Sequence, residues 1–165
     1  MSPTYYGMGE GMNIGIIVYS QTGHTFAVSE KLKEALSAAG HRVDLERLET
    51  VGPVTLGATD APLKTRPRID GYEALVLGTA VRGGLPAPPM ASYLEQLPSL
   101  EGIKVACLAT GFFPAKWGQN QTLAKMAQVC ASKGATVCGS GSVRWPSLRR
   151  KRQTAEVVRK LVGLF

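Results

Sequence analysis

The stretch "NIGIIVYSQTGHT", Asn13 to Thr25, runs from a block of aliphatic side chains straight into a cluster of hydroxyls around a glycine. Ile14, Ile16, Ile17 and Val18 make Asn13 to Tyr19 a strand too uniformly apolar to keep one face in water, which places it centrally in a parallel sheet. Thr25 to Ala39 reads as the helix that follows, with Val28, Leu32, Ala35 and Leu36 on one stripe and Gly40 as its stop. Between the two, "SQTGHT" brings Ser20, Thr22 and Thr25 to a helix start, where unpaired backbone N–H groups favour an anion. Gly23 lets the chain fold tightly around that anion, and His24 adds a donor whose charge follows pH. A loop of this kind can hold a phosphate without Lys or Arg. It lacks both the G-K-[ST] ending of a P-loop and the Rossmann glycine triplet, which argues against adenine nucleotides. Without a ligand, Thr22 or Thr25 would serve as a simple helix cap in a turn.

Outward from this unit the same alternation repeats. Arg42 to Leu48 is a second strand, whose alternating polar residues place it at a sheet edge. Thr50 to Asp70, broken by Pro53, Gly57, Pro62 and Pro67, reads as a long loop with at most a short helix. Glu73 to Leu77 is the third strand, followed by "GTAVRGGLPAPP" as a loop and a helix near Pro89 to Leu97 carrying Met90, Tyr93, Leu94 and Leu97. Lys104 to Thr110 is the fourth strand. After "GFFPAKWGQNQ" a helix runs to Lys133 with Leu123, Met126, Ala127 and Cys130 on one face, and Gly134 ends it. A fifth strand spans about Ala135 to Val143, and a last helix, about Leu148 to Leu164, directs Ala155, Val158, Leu161 and Val162 inward. Five strands in βαβ alternation predict an α/β fold, a three-layer open doubly wound parallel sheet, because closing a barrel takes eight. Ligands of such sheets bind beyond the carboxyl ends of the strands, where these glycine-rich loops lie.

At 165 residues, 44% of them hydrophobic, the chain suits one domain with a sizeable core. No apolar run reaches the roughly 20 residues of a membrane-spanning helix. Residues 1–11, "MSPTYYGMGEG", read as a polar N-terminal extension without the charged start and apolar centre of a secretory signal, which predicts a cytoplasmic protein. Cys107, Cys130 and Cys138 are odd in number and lack metal-type spacing, so they are expected as small core residues, with no metal site. The net charge is +7, and from Arg144 to Lys160 seven basic residues stand against Glu156 alone. The run "RRKR", Arg149 to Arg152, suits an acidic protein, an anionic membrane surface or a nucleic acid, or is a solvated helix start. No aromatic residue interleaves it, and no nucleic-acid partner is expected.

The hydroxyl loop behind the first apolar strand resembles the phosphate loop of the flavodoxins and flavodoxin-like FMN proteins, and the resemblance runs from about Met12 to Phe165. It implies a flavodoxin-like strand order 2-1-3-4-5, an FMN-binding domain over residues 12–165, and FMN held at its phosphate by Ser20, Gln21, Thr22, Gly23, His24 and Thr25. By the same resemblance "GTAVRGG" would flank the isoalloxazine ring through Thr79, Ala80, Val81, Arg82 and Gly83. The segment "ATGFFPAKWGQN" would do so through Thr110, Gly111, Phe112, Trp117 and Gly118. No catalytic residue is assigned. The chain departs from electron-carrying flavodoxins, which are acidic and usually set a tryptophan and a tyrosine against the ring: Arg82 and two glycines fill the earlier loop. In the later one, Phe112, Phe113 and Trp117 either stack on the ring or serve as loop and subunit contacts. An Arg82 facing the flavin would favour its reduced, anionic form and raise its potential. The implied function is electron transfer through FMN, with a redox protein or a small-molecule donor or acceptor as partner. The alternatives are an NAD(P)H- or quinone-linked flavin reductase and a flavin-free interaction module. A homodimer and peripheral membrane contact stay open.

Overall fold

A computed structural model describes residues 11–54 and 61–165. In chain order it comprises β1 (Asn13–Val18), α1 (His24–Ala38), β2 (Arg42–Arg47), β3 (Ala74–Arg82), β4 (Leu85–Pro86), α2 (Pro88–Gln96), β5 (Lys104–Gly111), α3 (Gln119–Ser132), β6 (Thr136–Arg144) and α4 (Arg150–Val162). The sheet order is β2-β1-β3-β5-β6, parallel throughout, with β4 pairing antiparallel to the end of β3. Without β4 this is the expected order 2-1-3-4-5, and the order reverses between β1 and β3.

Strand β1 is buried on both faces, as its composition demands. Ile14 and Ile16 pack with Val28, Leu32 and Leu36 of α1 and Leu161 of α4, while Ile17, with Leu75 and Leu77 of β3, meets Met90 and Leu94 of α2 and Met126 of α3. Strand β2 is an edge. Along it the Tyr72 hydroxyl lies 3.1 Å from Asp44 Oδ2 and 3.0 Å from Glu46 Oε2, and burial together with these carboxylates raises the phenol pKa. The Thr65 hydroxyl donates to the Arg47 carbonyl at 3.3 Å.

Three expectations are corrected. Among the described residues the sheet has six strands, because β3 continues through Thr79–Arg82 and turns back at Gly83 and Gly84, with φ 58° and 78°, to pair Arg82 with Leu85. Two residues with positive φ make the primed turn that suits a hairpin, so half of the expected loop is strand. On α4 Leu161 is buried and Val158 and Val162 pack against the core as expected, but Ala155 is exposed and Thr154 and Val157 are buried instead. Two glycines of β6 explain this: a Cβ on Gly141 would stand 2.7 Å from Val157 Cγ1, and one on Gly139 would stand 2.9 Å from Leu164 Cδ1. The alternative of a simple threonine cap is not realised: Gly23 is the N-cap of α1 with φ 90°, and among the described residues no side chain caps the helix start. Cys107 and Cys130 are core residues, whereas Cys138 is half-buried.

The described parts of Thr50–Asp70 carry no helix and are drawn together by a bridge between Thr50 and Leu63. The rest of that loop, and the N-terminal extension up to residue 10, lie outside the described residues. Among the described residues no helix is long and apolar enough to cross a membrane, and no group of three or more His, Cys, Asp or Glu could hold a metal ion.

Candidate functional site

The loops after β1, β3 and β5 meet at the carboxyl edge of the sheet, beside its point of reversal. Behind β1, Ser20 turns its side chain inward: the residue is 4% exposed and its Oγ has no hydrogen-bond partner among the described residues. Arg47, at the end of β2, donates to the Ser20 carbonyl and lies 5.1 Å over the Phe26 ring, which fixes the loop backbone. Thr22 and Gln21 are exposed. Thr25 is buried, and its Oγ1 lies 2.7 Å from Thr110 Oγ1, so a hydroxyl pair ties the start of α1 to the end of β5. His24 turns toward the loop after β6. Its ring stacks on Trp145 with centroids 4.4 Å apart, and burial, then the nearby Arg150 guanidinium, lower its pKa and favour the neutral imidazole.

The β3–β4 hairpin forms one wall of a cleft. Thr79 is fully buried and supports the hairpin: its hydroxyl donates to the Ala80 carbonyl at 2.8 Å and accepts the Ala87 N–H at 3.1 Å. Arg82 reaches back across the edge and donates to the Gln21 side-chain oxygen. The opposite wall is the loop after β5, with Phe112, Phe113 and Trp117 exposed and the Phe113 and Trp117 rings 6.3 Å apart. Buried Gln119 holds this wall; its side-chain nitrogen lies 3.3 Å from the Gly111 carbonyl, 3.2 Å from that of Phe113 and 3.4 Å from that of Val143. Gly118, with φ 137°, brings the walls together at one end, where a Cβ would meet Val81 Cγ1 at 3.3 Å and the Gly84 Cα at 3.6 Å. The cleft measures about 640 Å³ and is lined by Val81, Gly83 and Gly84 on one side and by Gly111 to Phe113, Lys116 to Gln119 and Gln121 on the other.

Of the residues expected from the sequence, the structure gathers Ser20 to Gly23, Val81, Arg82, Gly83 and Gly111 to Gly118 around this edge. The side chains of Thr25, Thr79 and Thr110 are bonded internally, and that of His24 lies on the α4 side. Arg47, Gln119 and Trp145 were not singled out. A cation ending an edge strand and a glutamine directly after a glycine at a helix start were the only marks available for the first two.

The groups around Ser20 fit a phosphate. An uncapped start of a 15-residue helix offers free N–H groups, and the buried Ser20 hydroxyl, without a partner among the described residues, adds a further donor. The strand order β2-β1-β3-β5-β6 defines a flavodoxin-like α/β fold. Solved structures share this fold: the flavodoxin of Streptococcus pneumoniae TIGR4 superposes with a TM-score of 0.68 at 17% identity, covering 93% of this chain and 99% of that one. Oxidised Flavodoxin 2 from Bacillus cereus gives 0.66 at 19% identity, covering 93% and 99%. The chain has the flavodoxin-like fold. No family model matches it. In sequence it is 28% identical over 136 residues to a Gluconacetobacter diazotrophicus protein named NAD(P)H dehydrogenase (quinone), a match covering 75% of this chain and 68% of that relative. A Rhodopseudomonas palustris (strain TIE-1) protein of the same name is 33% identical over 88 residues, 49% of this chain and 44% of its own length.

Proposed function

We propose that the protein binds FMN across the carboxyl ends of β1, β3 and β5 and transfers electrons through it to and from a redox partner. Ser20 carries this reading. A buried hydroxyl left without a partner costs about 1 to 3 kcal/mol, and a phosphate seated on the start of α1 would recover that cost. The Ser20 and Thr22 hydroxyls and the first N–H groups of α1 would hold the phosphate, with the positive end of the helix adding to the attraction. Arg47 holds the Ser20 backbone in place for this contact. Bound FMN supplies the electron-accepting ring. The chain's part is to seat it: the cleft between the hairpin and the Gln119-braced loop has a volume of about 640 Å³, within the range of cofactor sites.

Ser20→Ala separates ligand binding from folding. Removal of an unsatisfied buried hydroxyl should leave the melting temperature of the flavin-free protein unchanged or raise it, while the Kd for FMN rises about 5- to 30-fold, corresponding to about 1 to 2 kcal/mol. An unchanged Kd would remove the phosphate from this loop.

A second reading is a flavin reductase that takes electrons from NAD(P)H and gives them to a quinone. It is favoured by the exposed aromatic side chains of Phe112, Phe113 and Trp117 along the cleft, on which a second flat molecule could stack, and by the names of the sequence relatives. Anaerobic titration followed at the flavin bands decides between the two. Reduction by NADH or NADPH and reoxidation by a quinone identify the reductase; bleaching only by protein or artificial electron donors identifies the carrier.

A further inference from the structure

From Gly102 to Ala155 the chain contains nine Lys or Arg and no Asp or Glu. The fold collects much of that charge at one place, because the loops after β5 and β6 leave neighbouring strands at the same edge. The two loops are bonded to each other: Trp145 N–H donates to the Gly111 carbonyl at 2.7 Å, and Arg144 Nε to the Phe112 carbonyl at 3.1 Å. Among the cations stand large apolar side chains turned to solvent, Phe113 and Trp117 on the first loop and Leu148, fully exposed, on the second. Clustered exposed apolar residues of this kind mark an interaction surface. Two residues beyond Leu148, a groove of about 610 Å³ between α1 and α4 sets Lys31, Arg150 and Lys151 around Trp145, with Val28 and Val158 among its apolar lining. Of the basic residues on this face, Arg152 alone has a salt bridge among the described residues, to Glu156 at 3.3 Å.

We infer that this face docks on an anionic lipid bilayer. Leu148 and Phe113 enter the boundary between headgroups and acyl chains, Lys116, Arg144, Arg149 and Lys151 lie on lipid phosphates, and the α1–α4 groove receives one headgroup. Charge complementarity selects an acidic surface. The protruding leucine selects lipid over an acidic protein, since a bilayer accepts an apolar side chain without a matching pocket and interfacial binding scales with the apolar area inserted. Phe113 and Lys116 also line the cleft between the hairpin and the loop after β5, whereas Leu148, Arg149 and Lys151 lie outside it.

Flotation of the full chain with vesicles tests it, using phosphatidylcholine alone and phosphatidylcholine with about one third phosphatidylglycerol, where each cation near the surface strengthens binding about fivefold. The protein should float with the mixed vesicles at low ionic strength, stay behind with phosphatidylcholine, and be released by added salt. The double variant Arg149→Glu and Lys151→Glu should lower the partition coefficient about 20-fold or more. Leu148→Ser should lower it about fivefold while keeping its salt dependence, the mark of an inserted side chain rather than a charge. Both changes lie on exposed positions, and circular dichroism confirms that each variant is folded. Equal binding to both vesicle types, no flotation at low salt, or a Leu148→Ser protein that binds like the parent overturns the proposal. Salt-sensitive capture on immobilised polyglutamate without flotation also overturns it, and assigns the surface to an acidic protein.

Discussion

Arg82 ends β3 directly before the hairpin turn, and its guanidinium reaches the side chain of Gln21 in the loop after β1. A cation bridging these two loops stands beside any anion or electron-rich ring held between them, and stabilises negative charge there. On the FMN reading, Arg82→Ala should lower the two-electron midpoint potential by about 20 mV, the shift expected from a partly exposed charge contributing about 1 kcal/mol. Arg82→Lys should retain most of the original value. A redox titration in which the alanine variant keeps or exceeds the parent midpoint would take Arg82 out of the field of the flavin. The hydroxyl loop was legible at this scale because Ser20, Thr22, Gly23 and Thr25 are adjacent in sequence. The pairing of Thr25 with Thr110 was not, since nothing local couples side chains 85 positions apart. Nor was the seat of His24, whose ring is placed by Trp145, a residue of the opposite end of the chain.

At the scale of elements, β1, α1, α2 and α3 were readable because their apolar periodicity matches what they bury. The hairpin was hidden for a physical reason. Its returning strand is Leu85–Pro86, too short for any periodicity to register, and the Gly83–Gly84 pair reads equally well as loop. On α4 the expected Val158, Leu161 and Val162 do lie on the core, but Ala155 yields to Val157, because a helix turns toward the space offered to it and β6 offers that space at Gly139 and Gly141. Gly141→Ala should accordingly be costly. The new methyl would stand 2.7 Å from Val157 Cγ1, and a β-branched side chain has few rotamers into which to withdraw. Denaturant unfolding should show a loss of about 1 to 3 kcal/mol, with part of it restored by adding Val157→Ala. A Gly141→Ala protein as stable as the parent would mean that α4 shifts outward without penalty.

Over the whole molecule the charge is unevenly divided: the site end holds Arg47, Arg82, Lys116, Arg144 and the start of α4, in a chain of net charge +7. On the FMN reading, oxidation of the reduced protein by an anionic reagent such as ferricyanide should slow about tenfold or more from low to high ionic strength, as screening shortens the reach of the field. A cationic cobalt complex should show the opposite trend, and matching salt profiles for the two reagents would refute a cationic approach to the site. The single open sheet was legible at this scale, since βαβ alternation limits the topologies. The division of charge needed the fold to bring the loops after β5 and β6 together. The edge strand β2 has a consequence of another kind. An uncovered strand edge is a template on which a second chain can extend the ladder and begin aggregation. Here the added strand would have to strip water from Arg42, Asp44, Glu46 and Arg47 and displace Thr65 from the Arg47 carbonyl. The sheet thus resists growth from this side, and concentrated protein is protected from edge-to-edge fibril formation at β2 by its own charged border.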